Sequence, residues 1–255
     1  MRKQAFIILM ICFLTISSDC MADETVRLTN GEWPPYLSKD LKHYGVASHI
    51  VESAFKNVGI NVEYGFFPWK RALILAKRGA WDGSVIWSPT EERILDFYFS
   101  DQVAEDVNVF FHLKSKLFDW KNYSDLKGLI IGATLSYNYG EEFTKNEKDR
   151  TIYVERAVKD ETGFKKLISN RIDIFVCNLE VGYYLIHKMY SIETARKFTN
   201  HFRPVTKAPL VLLLSKKFNK SITFMKKFNK GLKHLKDSGT FDEFYDASRR
   251  GKYKK

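Results

Sequence analysis

The sequence predicts an α/β protein in two lobes with a ligand cleft between them. Three observations carry that reading. The chain has 255 residues, 45% of them apolar or aromatic, enough for two modest lobes with packed cores. From Thr25 onward, short apolar runs alternate with segments of helical period, the pattern of strands joined by crossover helices. The alternation pauses at FSDQVAEDVNVFFHLKSK and restarts, and a late apolar run, APLVLLLSKK, is placed to return to the first half.

The elements follow in order. VRLTN reads as a first strand, and GVASHIVESAFKNVG as a helix closed by Gly59. INVEYGFF is a second strand, PWKRALILAKRG a short helix opened by Pro68 and ended by Gly79, and GSVIW a third strand. After the pause, LKGLIIGAT is a strand, SYNYGEEFTKN a helix start, TIYVERA a strand and ETGFKKLISNR a helix. IDIFVCN is then a strand and LEVGYYLIHKMY a helix. In KKFNKSITFMKKFNKGLKHLKD the residues Phe218, Ile222, Met225, Phe228, Leu232 and Leu235 recur at helical spacing with lysines between them. That predicts a helix packed on the first lobe with a solvated basic face, and it accounts for much of the net charge of +11. The aromatic residues share the apolar stripe, so nucleic acid is not an expected partner. Residues 23–108 and 206–255 are expected to form one lobe and 109–205 the other.

The N-terminus has a basic start at Arg2 and Lys3, an apolar run from Ala5 to Ile16 and a polar stretch ending in Cys-Met-Ala. Those are the parts of a secretory signal peptide, expected over residues 1–22, and the run is short of the roughly twenty residues of a spanning helix. Cys20 leaves lipid modification open, although Ser17, Ser18 and Asp19 before it argue against it. Cleavage after Ala22 leaves Cys177 as the remaining cysteine, which excludes an internal disulfide and two-cysteine metal patterns.

The order of GEWPPY, FFPWKRAL, RGAWDGSVIWSPTEERILDFYFSD, YSDLKGLIIGATLSYNYG and LISNRIDIFVCNLEVG resembles the bacterial extracellular solute-binding proteins of family 3, from about Val26 to Tyr245. The resemblance implies a type II periplasmic binding protein fold: a monomeric periplasmic receptor that captures a small polar ligand, an amino acid or related carboxylate, for an ABC permease. It implies that Arg93 meets the ligand carboxylate, with Ser88 assisting through its hydroxyl and the main chain near Ile86 accepting from an ammonium. A guanidinium suits a carboxylate because it offers a planar fork for two parallel hydrogen bonds. The alternative for Arg93 is an ion pair with Glu91 or Asp96. Trp33 falls where the family sets an aromatic ring over the ligand, with core packing as its alternative. Tyr36, Trp69 and Trp87 lie in the same cleft motifs. Ser136, Tyr137 and Asn138 form the turn that reaches the carboxylate from the second lobe, where free N–H groups favour an anion, or a helix cap.

The sequence departs from the family where an aspartate usually follows the strand, because Asn178 stands there. Glu180 or Glu32 could restore the missing charge. Arg71 would suit a second anionic group, or sits on a helix surface. Two other functions remain open: a sensory ligand-binding module, and a dehydratase-like enzyme on the same scaffold. Catalysis is not expected, since no histidine falls in a cleft motif and there is no nucleophile–base pair. No cofactor or metal is expected.

Overall fold

The computed structural model describes residues 24–135 and 137–255. The expected signal peptide and Ser136 lie outside the described residues. The first unit contains β1 (Glu24–Asn30), α1 (Val46–Lys56), β2 (Ile60–Phe66), α2 (Trp69–Lys77) and β3 (Gly83–Trp87). β1 lies between β2 and β3 and is parallel to both. α1 forms because Val46, Ile50, Val51, Ala54 and Phe55 fall on one stripe, and that stripe is buried. A short turn, α3 (Glu91–Ile94), follows β3 and carries Arg93.

Next comes β4 (Phe97–Leu113), a strand of 17 residues. Beyond it lie β5 (Ile130–Thr134), α4 (Glu141–Lys148), β6 (Tyr153–Ala157), α5 (Asp160–Ile168), β7 (Ile174–Asn178), α6 (Leu179–Met189) and α7 (Ile192–Ala195). The 18-residue β8 (Phe198–Ser215) then runs back along β4, and α8 (Ser221–Asp237) and α9 (Thr240–Arg249) close the chain. The sheet order is β2-β1-β3-β8-β4-β7-β5-β6.

Three features differ from the sequence reading. The sheet is mixed, because β8 is antiparallel to β3 and β4, and β4 is antiparallel to β7. The stretch at which the pattern pauses is part of β4, and β8 begins at Phe198, well before Ala208. Both strands carry polar residues in the middle, which read as loop. Their backbone groups are satisfied by one another, from Phe97 opposite Ser215 to Leu113 opposite Phe198. Finally, α4 starts at Glu141, so Tyr137 to Gly140 stay outside it, and α9 is a helix the sequence reading did not contain.

Side chains sort by strand alternation into separate cores. Leu210, Leu212 and Leu214 join β1, α1 and α8 in one cluster, while Val211 and Leu213 face Ala76 of α2. Farther along, Val109, Phe111, Phe175 and Cys177 pack on α5 and α6, whereas Phe110, Ile174 and Val176 pack with Trp120 and Phe143. The α8 stripe of Met225, Phe228, Leu232 and Leu235 is buried, but Ile222 remains 45% exposed. Gly231 lets α8 cross α1 closely, since a Cβ there would come within 2.0 Å of the Ala54 carbonyl oxygen. No helix among the described residues is long and apolar enough to cross a membrane.

Candidate ligand-binding site

The loop after β1 is held by reciprocal backbone bonds between Trp33 and Leu37 at 2.8 and 3.0 Å, and Pro35 and Tyr36 accept from the first N–H groups of α1. This fixes the half-buried Trp33 ring 4.7 Å from the Tyr36 ring. Gly31 in the same loop lies flat against Trp69, with room for no side chain, since a Cβ would come within 2.3 Å of the indole. The Trp69 ring meets Trp87 edge to face at 5.0 Å, and the Arg93 guanidinium lies 4.8 Å above Trp87. Trp69, Trp87 and Arg93 therefore form one continuous wall.

Arg93 donates to the Ser88 carbonyl at 2.6 Å. Neither Glu91 nor Asp96 pairs with it, and Asp96 is held by Lys77 at 2.7 Å. Among the described residues no carboxylate lies within ion-pair distance of Arg93, so the fork is positioned by a ring and a carbonyl with its charge uncompensated. Trp87 is fixed in turn by donating to Ser84 Oγ at 2.7 Å. The backbone between them departs from regular β structure: Ile86 is buried with φ 44°, and the β3–β8 register shifts between Ser84 and Trp87. A β-branched residue in the left-handed region is strained, and a bulge re-aims main-chain groups. Arg71 is exposed and stacks over Phe67 at 5.4 Å, without joining this wall.

A cavity of about 330 Å³ is lined by Trp33, Asp106, Asn108, Tyr137, Asn138, Tyr139, Asp160, Asn178 and Val181. Asn178 caps α6, its Oδ1 accepting from the N–H groups of Glu180 and Val181 at 3.0 Å each. Its Nδ2 donates to Asp106 Oδ1 at 2.9 Å. The Tyr36 hydroxyl donates to the Glu105 carbonyl at 2.8 Å and lies 3.3 Å from the Asn178 amide. Asn138 accepts from the Gly140 N–H at 2.9 Å, and Tyr137 is 55% exposed at the rim.

Sequence reasoning missed the two carboxylates of this cavity. Asp106 is half-buried on β4, and Asp160, at the start of α5, is 7% exposed and accepts a hydrogen bond from the Thr134 hydroxyl. Burial pushes the Asp160 carboxyl above its usual range, opposed by the Thr134 bond. Burial likewise pushes the Cys177 thiol well up, and Asp160 and Asp106 push it the same way. The available signal for Asp106 was its period-two relation to Asn108, hidden in a run that read as a connector.

The structure places the two expected glutamates elsewhere. Glu32 is exposed and accepts from the Lys39 N–H at 3.2 Å. Glu180 faces a second cavity of about 530 Å³, lined in part by Tyr36, Glu105, Val107, Lys207, Tyr245 and Arg249. There it is ion-paired with Arg249 at 2.5 Å. Alternation along β4 divides the two cavities: Glu105 and Val107 face one, Asp106 and Asn108 the other. No group of three or more His, Cys, Asp or Glu side chains able to hold a metal ion occurs among the described residues.

Two α/β halves joined by paired long strands, with charged and aromatic walls between, define a two-lobed binding protein. The chain belongs to the bacterial extracellular solute-binding proteins, family 3, which match residues 26–247. It is similar to the second substrate-binding domain of a putative amino acid ABC transporter from Streptococcus pneumoniae, at 19% identity and a TM-score of 0.71, over 88% of this chain and 98% of that one. It is also similar to substrate-binding domain 2 of GlnP from Lactococcus lactis in its open conformation, at 19% identity and a TM-score of 0.73, over 88% and 95%. An ancestral cationic amino acid solute-binding protein shares 20% identity at a TM-score of 0.65, over 91% and 96%. At these identities the likeness is one of fold. No curated protein sequence matches the chain.

Proposed function

We propose that this chain is a periplasmic solute receptor that hands a small ligand bearing a carboxylate, an amino acid or related acid, to an ABC permease in the inner membrane. It works as a monomer and binds without chemistry. Residues 1–22 direct export, 23–108 and 206–255 form one lobe, and 109–205 form the other. The observation that carries this reading is Arg93. It is oriented by Trp87 and the Ser88 carbonyl, it has no carboxylate partner among the described residues, and it ends an aromatic wall suited to the body of a small ligand.

Titration calorimetry of the mature chain against amino acids and organic acids tests the proposal. Arg93→Ala should abolish binding of whichever carboxylate binds, and Arg93→Lys should bind poorly, because the two-pronged contact is lost. Both should leave the unfolding free energy within about 0.5 kcal/mol, as expected for a surface residue outside any core. Normal binding by the alanine variant would overturn the proposal.

A further inference from the structure

We infer that the cavity of about 530 Å³ on the other face of β4 is a second small-molecule site, one that takes an organic cation with an aromatic body. It is separate from the receptor site proposed above, because strand alternation turns Glu105 and Val107 toward it and Asp106 and Asn108 away from it. Its volume falls within the range of small-molecule sites. The walls come from distant parts of the chain: Tyr36 from the loop after β1, Glu105 from β4, Glu180 from α6, Phe202 from β8, and Phe241 and Tyr245 from α9.

Cross-links between these elements shape the site before any ligand arrives. Tyr36 donates to the Glu105 carbonyl at 2.8 Å, Lys207 of β8 pairs with the Glu105 carboxylate at 2.9 Å, and Arg249 of α9 pairs with Glu180 of α6 at 2.5 Å. Lys207 and Arg249 are the cations of the wall, and both are committed to carboxylates. Asp242 and Asp246, exposed on α9, bring the lining to four carboxylates against those two cations. The local sign is thus opposite to the net charge of +11 carried by the chain, so the cavity favours a cation and disfavours an anion.

Tyr245 is a second and independent observation. Its side chain lines the cavity and is 9% exposed, and its hydroxyl is buried with no hydrogen-bond partner among the described residues. A buried hydroxyl left without a partner costs free energy that a ligand can recover. Burial pushes this hydroxyl well above its usual range, and Glu180 and Glu105 add to the shift while Arg249 opposes it. An oxygen with two carboxylates near it suits a donor better than another acceptor, and an ammonium is such a donor. The aromatic side chains indicate the rest of the ligand. Phe202 is 85% exposed, and the Phe241 ring lies 5.2 Å from the Tyr245 ring. A ring bound among them would cover Phe202, and the aromatic faces would attract the cation attached to it.

The test is titration calorimetry of the mature chain with 2-phenylethylamine, 2-phenylethanol and phenylacetate, which share a ring and differ in charge. The amine should bind about 3-fold or more tightly than the alcohol, the scale of a solvent-exposed charge contact, and phenylacetate should bind more weakly than either. Tyr245→Phe should weaken the amine by about 3-fold or more, the scale of one hydrogen bond. In urea unfolding that variant should be at least as stable as wild type, since the hydroxyl it removes has no partner. Phe202→Ala, at an exposed position, should also weaken the amine by about 3-fold or more and leave the unfolding midpoint unchanged. The inference is overturned if the amine shows no saturable binding, if phenylacetate or the alcohol binds as tightly as the amine, or if either variant binds the amine as wild type does.

Discussion

Arg249→Ala should destabilise the protein strongly at neutral pH without touching ligand affinity. The Glu180 carboxylate has a side-chain exposure of 6% and forms its ion pair with Arg249 through Nε at 2.9 Å and Nη2 at 2.5 Å. Burial pushes the Glu180 carboxyl up, and the guanidinium opposes that shift. Removing the guanidinium leaves a buried charge without its partner, a change that typically costs 3–5 kcal/mol. Arg249 itself is 38% exposed, so water and the nearby Asp246 temper the interaction. The low end, about 3 kcal/mol, is expected, or roughly 6–12 °C in melting temperature for a chain of this size. The loss should shrink as pH falls. Glu180 has a folded-state pKa above its unfolded value, so its protonated form favours the folded state, and the penalty lifts through its raised titration range. Urea unfolding of wild type, Arg249→Ala, Glu180→Gln and the double variant at pH 7 and pH 5 makes the measurement. The double variant should be more stable than Arg249→Ala alone, because the stranded charge is gone. An Arg249→Ala midpoint indistinguishable from wild type would refute the reasoning, and so would a Glu180→Gln variant that keeps its stability but loses ligand.

Gly31→Ala would drive a methyl into the Trp69 ring and displace it from Trp87, costing about 1–3 kcal/mol and weakening ligand binding; unfolding curves and calorimetry on one sample show whether the two losses travel together. His49 is stacked between His43 and Phe244 at 3.9 Å each, and burial, helped by His43, lowers its pKa to about 4. Its charged form is thus disfavoured in the folded state, so stability should fall as pH drops from about 6.5 toward 4, by about 2–3 kcal/mol in all, and His49→Gln should flatten that part of the stability–pH curve. Asn178→Asp keeps the α6 cap but sets a carboxylate where Nδ2 donates to Asp106. That variant should lose about 1 kcal/mol at pH 7 in urea unfolding, because two carboxylates would then face each other, and Asp106→Asn in the same background should restore it.

What could be read in the sequence was set by periodicity. α1 and α8 were legible because apolar residues every three or four positions commit a helix to one face, and β3, β5 and β7 because short apolar runs between turn residues leave few alternatives. β4 was not legible, because Ser100-Asp101-Gln102 and Glu105-Asp106 sit in its middle. These residues are tolerated there because β8 pairs along that stretch while Gln102, Glu105 and Asp106 open onto cavities instead of cores. The candidate site was legible as a juxtaposition of Arg93 with Trp87 and Trp69, side chains with one chemistry each. It was not legible where a contact depends on which way a helix turns. Glu180 and Asn178 are two residues apart, yet the first turn of α6 sends one to Arg249 and the other to Asp106.

Asparagine at position 178 follows from the same geometry. An aspartate there could cap α6 equally well, since capping needs an acceptor only. It could not donate to Asp106. The amide does both, accepting from two N–H groups with its oxygen and aiming the Asp106 carboxylate with its nitrogen. The negative charge is thereby moved one hydrogen bond away, from the start of a helix to β4. That strand pairs with both β8 and β7, and Tyr36 binds its backbone at Glu105 while touching Asn178. A charge on β4 is therefore held by the strand that joins the two halves, and it does not depend on the approach of α6 to face the cavity. In this chain the acidic group beside the cavity is thus Asp106 on β4, aimed by the Asn178 amide.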